Sequence, residues 1–457
     1  MKLYDTMTKE KKDLTPINGK RINLFVCGPT VYDYSHIGHA RTYIFFDTLS
    51  EYLRYKGYVV FYLQNITDID DKIIKRANES GTVASEISRF YYRAYIEDML
   101  RLRVNGVNFY APATFYIKEI IDQVKRLIDK GYAYETEDGI YFDISKFPEY
   151  GKLSHQSLET IKAGARIEIN EKKKNPADFV LWKKKKPGEP YWDSPWGEGR
   201  PGWHIEDTAI TEFHFGPQYD IHGGGSDLIF PHHECEIAQM ESVSGKKPMV
   251  NYWLHTGLLT IKQERMGKSV GNVINIREIL KDIKPELLRF FLLSSHYRSP
   301  IDYSTESLDL SRQSWEKIVI AYRKLTEIKG KNSTSKYIKD IEKFRTDFES
   351  AMDDDMNTPL AISVIQSFVS FLNKNYESFS KEEKEKAVSF FDDIDRILKI
   401  IPRDNSNVDN IIGILLDVRK ISKEKKFYEI SDYIREKLNE NGIRVEDTSE
   451  GQIWYRI

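Results

Sequence analysis

Residues Leu24 to Arg41 read LFVCGPTVYDYSHIGHAR, and within them His36 and His39 are separated by Ile37 and Gly38. Imidazoles donate hydrogen bonds to phosphoryl oxygens, and a glycine between them lets a flat ligand lie against the main chain, because no Cβ collides with it. Such a pair suits the charge that gathers on an α-phosphate during adenylyl transfer. On their own the four residues fit a solvated turn equally well. Further along, His232 and Glu236 have the helical spacing that puts both on one face, where an imidazole and a carboxylate can share a metal ion. Alone, that pair fits an ordinary helix surface better. Cys27, at the mouth of the phosphate motif, adds a thiolate and shifts the balance toward a metal. Glu264 to Asn272 forms a polar loop in which Lys268 lies between small residues, suited to neutralise triphosphate oxygens as pyrophosphate leaves.

These groups need a scaffold. Ile22, Leu24 and Val26 predict a strand, Cys27-Gly28-Pro29 a turn, and Ala40 to Lys56 a helix with Ile44, Phe45, Leu49, Tyr52 and Leu53 on one face. Gly57 ends that helix and Tyr58 to Leu63 follows as a buried strand, so the first unit is a right-handed parallel βαβ crossover. A helix start of this kind offers free N–H groups and a positive dipole end to phosphates. Asn65 to Lys72, a polar cluster, falls at the carboxyl end of the second strand. An amphipathic helix over Thr114 to Lys130 and a hairpin of Tyr132 to Tyr134 with Ile140 to Asp143 interrupt the alternation, so residues 114–199 read as an insertion. After a loop holding Pro187, Pro190, Pro195 and Pro201, the sheet is expected to resume with strands at Trp203 to Asp207 and at Tyr219 to Asp227, and Pro231 to open a helix.

Beyond Pro285, periodic helical segments at 305–327, 334–353, 357–378 and 381–401 predict a bundle, the last with a capping box at Ser380 and Glu383. A linker then leads to helices at 409–426 and 428–440 and to short strands at 443–446 and 452–455. The fold class expected is α/β: a Rossmann-like parallel-sheet nucleotide-binding domain with an insertion, followed by an all-α helical bundle and a small α+β C-terminal module. The corresponding divisions are 1–113, 114–199, 200–304, 305–401 and 402–457.

With 457 residues, 30% of them charged and a formal net charge of −2, the chain has no global basic field. A nucleic acid would have to be held by local patches, and the lysine runs 172–174 and 183–186 read first as solvated loops. The polar start MKLYDTMTKEKKDL lacks the apolar core of a signal peptide, no apolar run spans a bilayer, and a cytoplasmic protein is expected. Two cysteines, Cys27 and Cys235, exclude a disulfide framework.

Taken together and in order, the motifs resemble those of the cysteinyl-tRNA synthetases, class I aminoacyl-tRNA synthetases, over nearly the whole chain. They are Cys27 to Asp33 running into His36-Ile37-Gly38-His39, Asn65 to Lys72, Asn175-Pro176 with Asp178 to Lys183, Gly199 to Glu206, His222 to Asp227, Phe230 to Glu234, and Met266 to Asn272. The resemblance implies a two-step reaction: cysteine and Mg-ATP give cysteinyl-adenylate and pyrophosphate, and the cysteinyl group passes to the terminal adenosine of tRNA(Cys). It implies catalytic roles for His36, His39 and Lys268, and ATP contacts at Gly28, Thr30, His36, Gly38, His39, Gly223, Gly224, Lys268 and Ser269. Substrate contacts fall at Thr67, Trp203 and Asp227. The loop here reads Arg265-Met266-Gly267-Lys268-Ser269, with arginine for the first lysine of the family's pattern and glycine for its first serine.

The family also holds a zinc ion that grips the substrate thiolate, and its ligands match Cys27, His232 and Glu236, with Asp207 where the family has a second cysteine. Three arrangements follow from that departure. Asp207 is a ligand, Cys235 is a buried helix residue and zinc is weak or absent, or Cys235 supplies the thiolate. The bundle and tail match the anticodon side of the family, with Arg444, Asp447, Trp454 and Arg456 as candidates for contact with unpaired bases. A monomer without membrane attachment is expected. The alternatives are a cysteine:amino-sugar ligase, against which the bundle and tail speak, and a non-catalytic RNA- or nucleotide-binding paralogue, suggested only by Asp207.

Overall fold

Arg21–Val26 (β1) is buried at every residue after Arg21, the mark of a strand covered on both faces in a parallel sheet. It is followed by the helix Ile37–Tyr55 (α1), which starts three residues before the sequence expectation. The reason is local: the side chain of His36 accepts the main-chain N–H of His39, and His39 accepts that of His36, a capping box made of two imidazoles. Val59–Ile66 (β2) pairs parallel with β1, as the crossover requires, and Phe109–Pro112 (β3) pairs parallel with β2. On the other side of β1 lie Tyr219–Gly225 (β4) and Val250–Thr256 (β5), again parallel. The strand order β5-β4-β1-β2-β3 reverses at β1, so the carboxyl ends of β1 and β4 open the crevice where such sheets bind ligands.

Trp203–Phe215 forms a helix (α2), correcting the strand expected over Trp203 to Asp207. Ile205 to Thr211 are all buried, so the helix has no polar face to show a 3.6 period. The helix expected at Pro231 starts later: Phe230 is extended (φ −135°, ψ 133°), a single wide turn covers Ile229–His233, and the regular helix Glu234–Ser244 (α3) follows. Glu234, inside the protein, accepts the N–H groups of Leu153 and Ser154 at 3.1 and 2.9 Å and ties that loop to α3.

The strands around the expected insertion form an antiparallel four-stranded sheet of Ala133–Glu135, Gly139–Phe142, Phe179–Lys184 and Gly199–Pro201. Its lysines have local partners: Lys183 meets Asp71 at 2.5 Å, Lys184 meets Glu135 and Lys185 meets Glu198.

Two compact units result. One comprises Met1–Pro285, His296–Tyr303 and Asp354–Met356; the other comprises Glu286–Ser295, Ser304–Asp353 and Asn357–Ile457. The computed structural model describes residues 1–157, 160, 173–266, 271–402, 407–448 and 451–456. The second unit carries helices at Thr305–Glu327, Ile338–Asp353, Thr358–Asn375 and Lys381–Leu398, each near its expected span. Ser380 and Glu383 make the expected capping box. Helices Asn407–Glu424 and Tyr428–Glu440 and the hairpin Ile443–Thr448 with Gly451–Arg456 complete it, around a small core of Ile412, Leu416, Leu438, Ile443 and Val445. Among the described residues, no helix is long and apolar enough to cross a membrane.

Asp71 joins the insertion sheet to the polar cluster after β2, taking Lys183 and Arg200 as partners. Burial would raise its carboxyl, but the two cations outweigh that and hold it at about 2. A carboxylate depressed below its unfolded value stabilises the fold above about pH 4 and loses that contribution as pH falls through about 2. Asp71→Asn is therefore expected to lower stability at pH 7 by about 1 kcal/mol or less, since the pair is largely screened, and the gap to the parent should close in urea unfolding near pH 2.

Candidate active site

At the carboxyl ends of β1 and β4 lies a cleft of about 350 Å³ lined by Cys27 to Ser35, His36, Gly38, His39, Trp203, Asp227 and Met266 among others. His36 and His39 stack at a ring separation of 3.8 Å and 15°. Because Nδ1 of each ring accepts a main-chain N–H, the neutral tautomer carries its proton on Nε2, a donor suited to an anionic oxygen. Gly38 has no room for a side chain: a Cβ there would lie 2.9 Å from both His36 Nδ1 and Met266 Cε.

Beneath the cleft sits a cluster drawn from five elements. Cys27 follows β1, Asp207 lies on α2, His222 on β4, and His232, His233 and Glu236 on the wide turn and α3. Cys27 Sγ lies 3.3 Å from Asp207 Oδ2, 3.9 Å from Glu236 Oε1, 3.4 Å from His222 Nε2 and 3.1 Å from His233 Nε2. His232 Nε2 is 3.0 Å from Asp207 Oδ2 and 2.9 Å from Glu236 Oε1. Two groups of four donors therefore converge: Cys27, Asp207, His232 and Glu236, and Cys27, His222, His233 and Glu236. All of these residues are buried.

Electrostatically the cluster is unbalanced. Burial, then Glu236 and Asp207, push the Cys27 thiol well up. Burial also raises the Glu236 carboxyl, against the pull of His232. For His232, burial acts downward but the two carboxylates prevail and raise it to about 9. His222 and His233 are lowered by burial and by neighbouring imidazoles. Asp207 Oδ1 is buried with no hydrogen-bond partner. Anionic donors withdrawn from water around an unsatisfied oxygen fit a bound cation, whose charge would favour the thiolate and the carboxylates and leave the imidazoles neutral. The mixed sulfur, nitrogen and oxygen donors suit a zinc-like ion better than magnesium.

The structure gathers most of the expected site residues here. Cys27, Gly28, Thr30, His36, Gly38, His39, Trp203 and Asp227 line the cleft. Trp203 also stacks on His232 at 4.1 Å. Gly223 and Gly224 lie on β4 behind it, and a Cβ on Gly223 would reach within 2.1 Å of Phe46. Thr67 is buried, pairs its hydroxyl with Glu206 at 2.9 Å and is absent from the cleft lining. Lys268 and Ser269 lie outside the described residues. Cys235 Sγ lies 3.2 Å from Tyr150 OH and belongs to neither donor group. In the tail, Asp447 is taken up by Arg419 and Lys423 and Trp454 packs on the small core, while the side chain of Arg456 lies outside the described residues. Sequence reasoning missed His222 and His233 as donors; their motifs, His222 before three glycines and the doublet His232-His233, were the available signal.

The fold is that of class I aminoacyl-tRNA synthetases. It resembles methionyl-tRNA synthetase from Mycobacterium tuberculosis in complex with methionyl-adenylate (TM-score 0.61, 15% identity, covering 83% of this chain and 89% of that one). A leucyl enzyme from Agrobacterium radiobacter, solved in a ternary complex, aligns with TM-score 0.61 at 10% identity over 85% and 84% of the two chains. In sequence, residues 13–313 match the family described as tRNA synthetases class I (C) catalytic domain, and residues 347–401 match the DALR domain. The cysteine–tRNA ligase of Thermoplasma acidophilum is 51% identical over the full length of both chains, and that of Thermococcus gammatolerans 44% identical over 100% of this chain and 99% of its own. This chain belongs to the cysteine–tRNA ligase family.

Packing at the cleft leaves one glycine no alternative. A Cβ on Gly28 would sit 1.7 Å from the main-chain oxygen of Asn65, and its N–H donates to Asn65 Oδ1 at 2.5 Å. Gly28→Ala must part the ends of β1 and β2, and a loss of about 2–3 kcal/mol in chemical unfolding is expected, together with weakened nucleotide binding.

Proposed function

We infer that this chain is a cytoplasmic cysteine–tRNA ligase that couples cysteine to ATP, releasing pyrophosphate, and then transfers the cysteinyl group to the 3′ adenosine of tRNA(Cys). The observation that carries this reading is the buried group of Cys27, Asp207, His232 and Glu236 opening through Cys27 onto the same cleft as His36 and His39. Its support in sequence is full-length similarity to proteins named cysteine–tRNA ligase.

In this reading the Nε2–H groups of His36 and His39 meet the charge on the α-phosphate, and Gly28, Thr30 and Gly38 let the nucleotide approach the main chain. Gly223 and Gly224 keep the strand beside the adenosine free of side chains. Lys268 neutralises the oxygens of the departing pyrophosphate, and Ser269 contacts ATP. Asp227 pairs with the substrate ammonium, and Trp203 and Thr67 shape its surroundings. A zinc ion held by Cys27, Asp207, His232 and Glu236 would offer a strong seat to a thiolate and a poor one to a hydroxyl, which separates cysteine from serine without an editing site. The helical bundle and the tail, divided at about residue 401, face the tRNA.

ATP–pyrophosphate exchange on the purified chain tests the reading without tRNA. Exchange with cysteine and at least about 100-fold less with serine is expected. Treatment with a chelator should abolish cysteine-dependent exchange and added zinc should restore it. Equal exchange with serine, or none with cysteine, contradicts the assignment.

A further inference from the structure

Glu236 presents its two carboxylate oxygens in different directions. Oε1 lies 2.9 Å from His232 Nε2, while Oε2 lies 3.2 Å from His222 Nε2. Cys27 Sγ stands between, with Asp207 Oδ2 at 3.3 Å on one side and His233 Nε2 at 3.1 Å and His222 Nε2 at 3.4 Å on the other. Tetrahedral bonds of zinc to nitrogen, oxygen and sulfur imply ligand-to-ligand spans of about 3.3–3.8 Å, close to the separations in both groups.

The outer contacts prepare the second group as well as the first. An imidazole that ligates through Nε2 must carry its proton on Nδ1 and give it to an acceptor. His222 Nδ1 has Tyr219 OH at 2.7 Å. His233 Nδ1 has His255 Nε2 at 2.8 Å, and His255 Nδ1 in turn has Thr6 Oγ1 at 2.7 Å. This chain of donors is self-consistent and leaves both Nε2 atoms directed at the sulfur with lone pairs. His232 has a comparable outer partner, with Nδ1 2.7 Å from His204 Nδ1. Once Asp207 is absent, charge suits the second group: Cys27 and Glu236 balance a dication with two neutral imidazoles, and no third anion remains in the dry interior.

We propose that this chain has two overlapping seats for one metal ion, hinged on Cys27 and Glu236. The first adds Asp207 and His232, beside Trp203 of the cleft; the second adds His222 and His233, against β4, and holds the ion when Asp207 does not. His222 and His233 are thus metal ligands of this chain. The inference rests on the metal reading above and goes beyond it in naming a ligand set that does not need the aspartate.

The test is metal content and cobalt absorption of full-length variants loaded with zinc or cobalt alone. The parent should bind about one equivalent, and Asp207→Ala should keep about one equivalent with its cobalt d–d bands displaced, because an oxygen donor has been exchanged for nitrogen. Combining Asp207→Ala with His222→Gln, or separately with His233→Gln, should remove most of the metal, since both seats are then broken. An Asp207→Ala chain that is empty while the parent is full contradicts the second seat, as does one whose cobalt spectrum matches the parent's. A double variant that folds and stays full contradicts it too. If a double variant does not fold, the Asp207→Ala chain decides the matter alone. A parent that takes up no metal overturns the metal reading itself.

Discussion

A sulfur, two carboxylates and three imidazoles within a few ångströms of one another and withdrawn from water are stable together only if their charge is balanced. Hydrogen bonding among them goes part of the way: His232 spans Asp207 and Glu236, and outer partners orient His222 and His233. It leaves Asp207 Oδ1 unsatisfied and the Cys27 thiol and the Glu236 carboxyl pushed up by burial. A bound dication would remove the conflict, and the architecture of the first unit is the means by which distant segments bring the donors together.

That architecture is the strand reversal at β1. The sheet places Cys27 at one carboxyl end and the glycines of β4 at the next, while α2, the wide turn and α3 bring Asp207, His232 and Glu236 to it. The same reversal sets the phosphate motif directly above, because α1 begins within the loop that follows Cys27. Cys27 and the paired histidines therefore lie on one short stretch of chain, Cys27 to His39, and line the same cleft, so thiol selection and nucleotide activation as proposed would act on a single substrate.

Much of this was legible in the sequence where one rule dominated. The bundle helices show because one face of each is solvated and because Ser380 and Glu383 announce a start. The crossover from β1 through α1 to β2 shows because buried strands and an amphipathic helix alternate. Trp203 to Asp207 reads as a strand because the buried run Ile205 to Thr211 shows no polar period, and α1 starts ahead of its apolar stripe because two histidines form its capping box. As candidate ligands, Cys27, His232 and Glu236 were legible in type, spacing and resemblance, and Asp207 in resemblance. His222 and His233 were not, since only tertiary folding carries β4 and the wide turn to the sulfur. Thr67 likewise reads as a cleft residue in sequence, whereas its hydroxyl is engaged by Glu206 below the surface.

The central claim is that the protein holds its metal through a single sulfur and leaves a place for the sulfur of the substrate. X-ray absorption at the zinc edge measures this directly. The free protein should show about one sulfur among nitrogen and oxygen neighbours at about 2.0–2.3 Å, and cysteine, but not serine, should raise the count by about one. A sulfur count unchanged by cysteine would contradict the account.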